Sequence, residues 1–356
     1  MNTNRCGILA ALTAAVLFGL GTPLAKALLE HASPWLLAAM LYLGSGCGLW
    51  LMRRLRSSPA VVISKNDWRW LAGAIVTGGI LGPVLLLTGL AAMPASGVSL
   101  LLNAEAVFTA LLAWFVFKEN FDARIVIGML AIVAGAVVLA WPEDSAVEFD
   151  RLWPALAVLG ACFAWAIDNN LTRKVALAEA SWIAMVKGLA AGATNLVLAL
   201  LLGASWPGGG AVLGAALIGF FSYGASLVLF VIALRHLGSA RTGAYFSVAP
   251  FFGAAVALAL LGEPFTMQLF AGAALMAIGV TLHLTERHLH EHSHAPLAHS
   301  HEHEHGMGDD HHEHAHEGNT NDRQAPPGTR HNHGHRHQPL THIHAHFPDA
   351  HHRHGH

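Results

Sequence analysis

The chain has 356 residues, 54% of them hydrophobic and 12% charged, with a formal net charge of −2. Soluble domains carry about a quarter charged residues, so this composition excludes an ordinary water-soluble domain, and its near-neutral charge gives no reason to expect a nucleic-acid partner. Nearly all the charge lies outside long apolar stretches, which predicts an all-α polytopic membrane protein.

A membrane helix needs about 20 apolar residues, and the first qualifying window spans 6–28. It is too long for a signal-peptide core and lacks a small-residue cleavage site, so it reads as a helix that stays in the protein. Thr22-Pro23 interrupts it, and Lys26 near its end is positioned to reach the interface. The second window, 33–52, carries Gly44 and Gly48 at a spacing that permits close helix approach. The third, 69–92, contains Pro83, and the turn Met93 to Ser96 is short enough to force antiparallel packing onto the fourth, 97–117. That fourth span holds Asn103, Glu105 and Thr109. The acidic turn Lys118-Glu119-Asn120 leads into the fifth span, 121–141.

An acidic linker, 142–152, containing Glu143, Asp144, Glu148 and Asp150, separates these spans from five more. They are 153–175, 181–202, 209–235, 239–261 and 266–286. The sixth span carries Trp165 and the run Asp168-Asn169-Asn170; the seventh carries Lys187, Gly188 and Gly192. Tyr223 lies in the eighth, Tyr245, Ser247 and Pro250 lie in the ninth, and Gly262-Glu263-Pro264 turns into the tenth. Cys6, Cys47 and Cys162 all fall in apolar spans at unrelated spacings and read as packing residues.

Lys and Arg collect on one side of this scheme, at Arg5, Arg53, Arg54, Arg56, Lys65, Lys118, Arg124, Arg173, Lys174, Arg235, Arg241 and Arg287. The opposite loops hold almost only Arg151. The positive-inside rule then puts both termini in the cytoplasm, with an inner-membrane location. The two halves also repeat at an offset of 144 residues: Phe108 meets Phe252, Glu119 meets Glu263, Phe121 meets Phe265, Gly128 meets Gly272 and Gly135 meets Gly279. An odd number of spans per half makes the second copy run upside down, as in many secondary transporters.

Two five-helix halves with an acidic turn between the fourth and fifth spans of each resemble the EamA branch of the drug/metabolite transporter superfamily. So does the opening helix of each half, Phe18-Gly19 through Lys26 in one and Trp165-Ala166 through Arg173 in the other. The resemblance covers roughly 6–285 and implies ten transmembrane helices as two inverted repeats, 1–141 and 153–286. It implies movement of small organic solutes, often outward, with no required cofactor. Two departures separate the halves: Pro250 has Ala106 as counterpart, and Glu105 stands where the second half has Ala249.

A charge near the bilayer centre costs about 3 kcal/mol on insertion scales, so ionisable residues there are functional candidates. Glu105 lies about 12 Å from the outer end of its span, by helix rise. It reads either as a proton-coupling carboxylate in a partly desolvated place or as a structural acid bonded to a neighbouring helix. Asp168, Asn169 and Asn170 occupy three consecutive helix positions and cannot all face lipid. Asp168 and Lys187 sit at similar depth, which allows a salt bridge between them. Trp165, Tyr223, Tyr245 and Ser247 complete the candidate lining, and the prolines free backbone carbonyls that can line a cavity.

Beyond residue 286 the sequence turns to His, Glu, Asp, Gly and Pro, which predicts a disordered His-rich cytoplasmic tail over 287–356. Its clusters include His288, His290, His292 and His294; His299, His301, His303 and His305; His331, His333, His335 and His337; and His342, His344 and His346. Neutral imidazole suits Zn, Ni, Co and Cu, so a divalent transition metal is the expected tail ligand, at moderate affinity and low selectivity. A pH-sensing tail is a second reading. The whole chain is expected to be a transporter, most simply an exporter, of a small metabolite or a metal species, working in the lipid bilayer with protons as candidate coupling ion. A homodimer is left open. The alternative is a metal-responsive membrane sensor or buffer with little transport. No nucleophile-base pair or phosphate loop in suitable context points to an enzyme.

Overall fold

The computed structural model describes residues 3–58, 61, 64–117, 123–141, 149–175, 179–230, 232–233, 242, 245–284, 289–294, 297–304, 330–337 and 340–345. Lys118, Glu119 and Asn120, linker residues 142–148, Arg235, Arg241 and Arg287, and His288, His305 and His346 lie outside these. The first body is helical. Its helices are α1 (Thr3–Leu28), α2 (Pro34–Leu55), α3 (Lys65–Ala74), α4 (Gly82–Ala92), α5 (Ala95–Leu101) and α6 (Ala104–Phe117). They continue with α7 (Ala123–Ala140), α8 (Phe149–Val175), α9 (Ala180–Leu201), α10 (Gly209–Ile218), α11 (Ala249–Leu260) and α12 (Met267–Leu284). Two π-helical segments, π1 (Ile75–Leu81) and π2 (Gly219–Ala225), each lie within an otherwise α-helical span.

Among the described residues seven helices are long and apolar enough to cross a membrane, and Val126–Ala140, Ala249–Leu260 and Met267–Leu282 are shorter apolar helices. The chain is therefore a multi-pass membrane protein. Its core is built from small and aliphatic side chains, with Leu36, Leu37, Leu41, Leu86, Leu90 and Leu101 all buried. Small residues let the backbones approach, which matters in lipid because apolar tails give helices little reason to associate. The contact of α2 with α9 shows this directly. A Cβ on Gly188 would lie 2.8 Å from the Cα of Gly46, and one on Gly46 would lie 2.6 Å from the Leu189 amide nitrogen.

The structure departs from the predicted spans in several places. The fourth window is not one helix: α5 and α6 are separated by a turn at Leu102 and Asn103. In the ninth, a turn at Ser247 and Val248 precedes α11. Pro23 sits inside α1 without ending it, and Pro83 directly follows π1 within one continuous span, Asp67–Ala92, whereas Pro250 occupies the first turn of α11, where the missing amide hydrogen costs nothing. Helix α8 begins at Phe149, so the last four residues of the predicted linker are helical.

The tail is a separate body. Strands β1 (Leu289–His294) and β4 (Leu340–Ala345) pair antiparallel, as do β2 (Leu297–Glu304) and β3 (Arg330–His337).

Candidate functional site

Helix breaks and π segments place backbone polar groups inside the helical body, where each needs a partner. In π1 the carbonyl of Gly78 accepts two hydrogen bonds, from Tyr42 Oη at 2.8 Å and from Trp165 Nε1 at 2.9 Å. The next carbonyl, Gly79, accepts from the buried Asn195 Nδ2 at 3.0 Å. Donors from α2, α8 and α9 thus converge on one π turn. Tyr42 continues the chain of contacts to Tyr223 in π2, ring centroids 5.7 Å apart, and Tyr223 in turn meets Phe18 of α1 at 6.2 Å.

Beside this turn lies the ion pair the spacing predicts. Lys187 Nζ donates to both carboxylate oxygens of Asp168, at 2.6 and 2.7 Å, while Thr172 Oγ1 donates to Asp168 Oδ1 at 2.8 Å. Both charged side chains are largely buried. A Cβ at Gly78 would overlap the Asp168 carboxylate, so glycine is what lets π1 come this close to α8.

One residue further along α8, Asn169 Nδ2 donates to Glu105 Oε1 at 2.7 Å. Glu105 stands in the first turn of α6, directly after the break at Leu102 and Asn103. Its hydrogen-bond partner among the described residues is a neutral amide, whereas the nearby Asp168 is matched by a lysine. The bond joins α6 of the first half to α8 of the second and is open on the Asn169 side.

The other candidates separate from this cluster. Asn103 is buried, but its amide nitrogen donates back to Leu100 O at 3.0 Å and lies 3.9 Å from the Met276 sulfur. The Asn170 amide donates to Ala166 O of its own helix at 2.8 Å. Tyr245 packs with Ala10, Ala11 and Ala233 in a separate apolar cluster. The amide nitrogens of Asn103 and Asn170 thus donate to backbone carbonyls of their own segments. Among the described residues no group of three His, Cys, Asp or Glu side chains is disposed to hold a metal ion. Sequence reasoning missed Tyr42, Gly78, Gly79 and Asn195, because nothing in a continuous apolar run announces a π turn.

Charges at the span ends act on helix termini. Lys26 does not run out along the surface: its Nζ donates to the carbonyls of Leu90, Ala91 and Met93 at 2.6, 3.2 and 3.0 Å, capping the C-terminus of α4. Glu263 follows Gly262, whose φ of +66° makes the turn, and accepts from the amides of Ala95 and Ser96 at 2.6 and 2.8 Å. It caps the N-terminus of α5 from the far end of the sequence. At another set of ends, Arg53 of α2 ion-pairs with Glu179 and donates to Ser181 Oγ at 2.7 Å, fastening the start of α9.

A sequence model of the EamA-like transporter family matches residues 5–141 and again 152–285. An "Uncharacterized transporter" of Methanothermobacter thermautotrophicus is 29% identical over 294 residues, covering 77% of this chain and 84% of its own length. The "Probable amino-acid metabolite efflux pump" of Salmonella typhimurium is 27% identical over 172 residues, 46% of this chain and 52% of that protein. "Purine permease 2" of Arabidopsis thaliana is 40% identical over only 74 residues, 21% of its length. A solved crystal structure superposes with a TM-score of 0.60 at 20% identity, covering 78% of this chain and 94% of the other, a likeness of fold.

Proposed function

Because the chain belongs to the EamA-like transporter family, which its two matched segments establish, we propose that it is a secondary-active exporter of a small organic solute. It works by alternating access between two inverted five-helix halves in the inner membrane, with both termini and a metal-binding tail in the cytoplasm. Transport of small molecules across a membrane follows from the family. The rest is our reading.

The inverted arrangement draws support from matched irregularities. The two π segments, 75–81 and 219–225, are offset by the 144 residues that relate the sequences, and the turn at Asn103 has its counterpart at Ser247. Helices α7 and α12 cross reciprocally: a Cβ on Gly135 would lie 2.9 Å from Gly272 O, and one on Gly279 would lie 2.6 Å from Gly128 O. A two-fold operation exchanging the halves maps each of these contacts onto the other.

The observation that carries the site is the Glu105–Asn169 bond. It spans the two halves at a helix break, and its carboxylate is met by an amide, leaving it able to receive a proton or a cationic group of the solute. Discontinuous helices of this kind form the binding sites of many transporters. An organic solute fits better than a bare metal ion, since the Asp168 carboxylate is already occupied by Lys187. Outward direction accords with a relative named as a probable efflux pump.

The test is flux in proteoliposomes for three chains: the full protein, Glu105→Gln, and a version ending after Arg287, each offered a panel of amino acids, purines and divalent metals under a proton gradient. Solute flux abolished in Glu105→Gln and retained in the shortened chain is expected. Metal flux that survives shortening would make the core a metal pathway instead. Saturable metal binding by the full chain with no flux of anything would favour the sensor or buffer.

A further inference from the structure

We infer that the seam where α11 lies against α1 and α5 is the outer gate of the transporter, and that Glu263 is its latch. The inference rests on the alternating-access reading given above and names the side chains that close one face.

The seam joins the two halves, since α1 and α5 belong to the first and α11 to the second. Its helices meet backbone to backbone. A Cβ on Gly19 would lie 2.5 Å from Ala249 O, and one on Gly253 would lie 2.8 Å from Gly19 O and 2.7 Å from Ser99 Oγ. At the rim, the turn from α4 to α5 is held from both sides. Lys26 of the same half donates to the carbonyls of Leu90, Ala91 and Met93, while Glu263 reaches over from the other half to the amides of Ala95 and Ser96. Of the two, Glu263 crosses the boundary between the halves, so its bonds must break before α11 and α5 can part. Both residues lie at span ends opposite the Lys- and Arg-rich loops, on the side the proposed orientation puts outside.

The repeat supplies a second seam for comparison, α6 against α8. The offset of 144 carries Glu105 onto Ala249 and Thr109 onto Gly253, and the match of Phe18 with Trp165 carries Thr22 onto Asn169. The α6–α8 seam holds the Glu105–Asn169 bond and the Phe108–Phe163 contact, ring centroids 5.5 Å apart. In the α1–α11 seam Thr22 and Ala249 stand at the places of the bonded pair. A proton or cationic solute reaching Glu105 therefore acts on the inner seam directly. The outer seam has no ionisable group at the equivalent place, which leaves close packing and the latch at its rim to hold it shut.

Each seam also buries a hydroxyl without a hydrogen-bond partner among the described residues, Ser99 in the outer and Thr109 in the inner. An unmet buried hydroxyl costs stability, and a permanent interface gains nothing from it. In a seam that opens, water satisfies the group in the open state, which lowers the cost of opening.

The experiment starts from a chain with Cys6, Cys47 and Cys162 changed to Ala and adds one reporter at a time: Thr22→Cys or Ser99→Cys in the outer seam, Thr109→Cys in the inner. Right-side-out and inverted membrane vesicles are treated with a membrane-impermeant maleimide, with and without Glu263→Ala. Thr22 and Ser99 are 4% and 1% exposed, so labelling there reports opening. Loss of the latch should speed labelling of both outer reporters from outside by about five- to thirtyfold, the range of a lost helix cap. Labelling of Thr109→Cys from inverted vesicles should not rise. Gly253→Val, which forces α1 and α11 apart by packing alone, should speed labelling of Thr22→Cys in the same way. A second arm joins Ser96→Cys to Glu263→Cys with a short reducible thiol crosslinker in proteoliposomes, where solute flux should stop on bridging and return on reduction.

Outer labelling that Glu263→Ala leaves unchanged, or that rises together with inner labelling as in general loosening, would overturn the gate. So would flux that continues through the bridged rim. Each of these leaves the transporter reading standing, because the parent still carries solute. A parent that carries no solute of the panel would count against the transporter reading instead, and the labelling arm would still decide whether this seam opens.

Discussion

Replacing Asp168 with Asn should destabilise the helical body, and the structure sets the size of the effect. The acid and Lys187 have side chains only 10% and 13% exposed, so the substitution leaves an ammonium with little access to water. Removing one partner of a buried pair costs about 3–5 kcal/mol. Thr172 still offers Lys187 an oxygen at 3.3 Å, which places the expected loss near the lower end, about 3 kcal/mol. Lys187→Met should cost a similar amount, since it leaves a buried carboxylate with the Thr172 hydroxyl as its bonded neighbour. Combining Asp168→Asn with Lys187→Met removes both charges, and the double variant should be more stable than either single, because replacing a whole buried pair by neutral groups is often close to neutral. The assay is the fraction of monodisperse protein left after heating in detergent, read by size-exclusion fluorescence, with solute flux measured on the same preparations. Single variants that melt like the parent, or a double variant as unstable as the sum of the singles, would refute the argument. A double variant that folds well but carries nothing would place the pair on the transport path.

Three further changes follow from the same geometry. Gly78→Ala should disturb the site as much as a charge change does, because the added methyl collides with the Asp168 carboxylate; loss of heat stability with rescue by a smaller acid-side group, as in Gly78→Ala with Asp168→Ser and Lys187→Met, would be read by the same size-exclusion assay. Asn195→Leu should cost about 1–3 kcal/mol by leaving the Gly79 carbonyl without its donor, whereas Tyr42→Phe should cost under about 1 kcal/mol because Trp165 still serves the Gly78 carbonyl; equal effects in thermal unfolding would count against this reading. Glu263→Ala uncaps α5 and should cost about 0.5–2 kcal/mol, with faster amide exchange at Ala95 and Ser96 as the direct readout and unchanged exchange as the refutation.

Much of the body is legible from residue order alone. Apolar runs of membrane length have one structural solution in lipid, because the backbone must satisfy itself within each segment. Equal depth from the same side of the membrane is enough to pair Asp168 with Lys187, since a buried charge needs a partner at its own level. The sequence marks Glu105 as unusual because its counterpart in the other half is Ala249. It does not say that Asn169, rather than Asn103, is the amide bonded to Glu105, since that depends on which helix lies across from α6.

Periodicity determined the helical class and the offset repeat, because these properties are local and recur along the chain. Tertiary structure decided the rest. Only the approach of α8 to π1 explains why residue 78 is glycine, and only the convergence of α2, α8 and α9 shows that Tyr42, Trp165 and Asn195 serve two freed carbonyls. Likewise only strand pairing says that His301 stands opposite His333 and not its neighbours in sequence. Each of these is a relation between segments distant along the chain, and a distance in space is set by packing the whole, not by any pattern within one part.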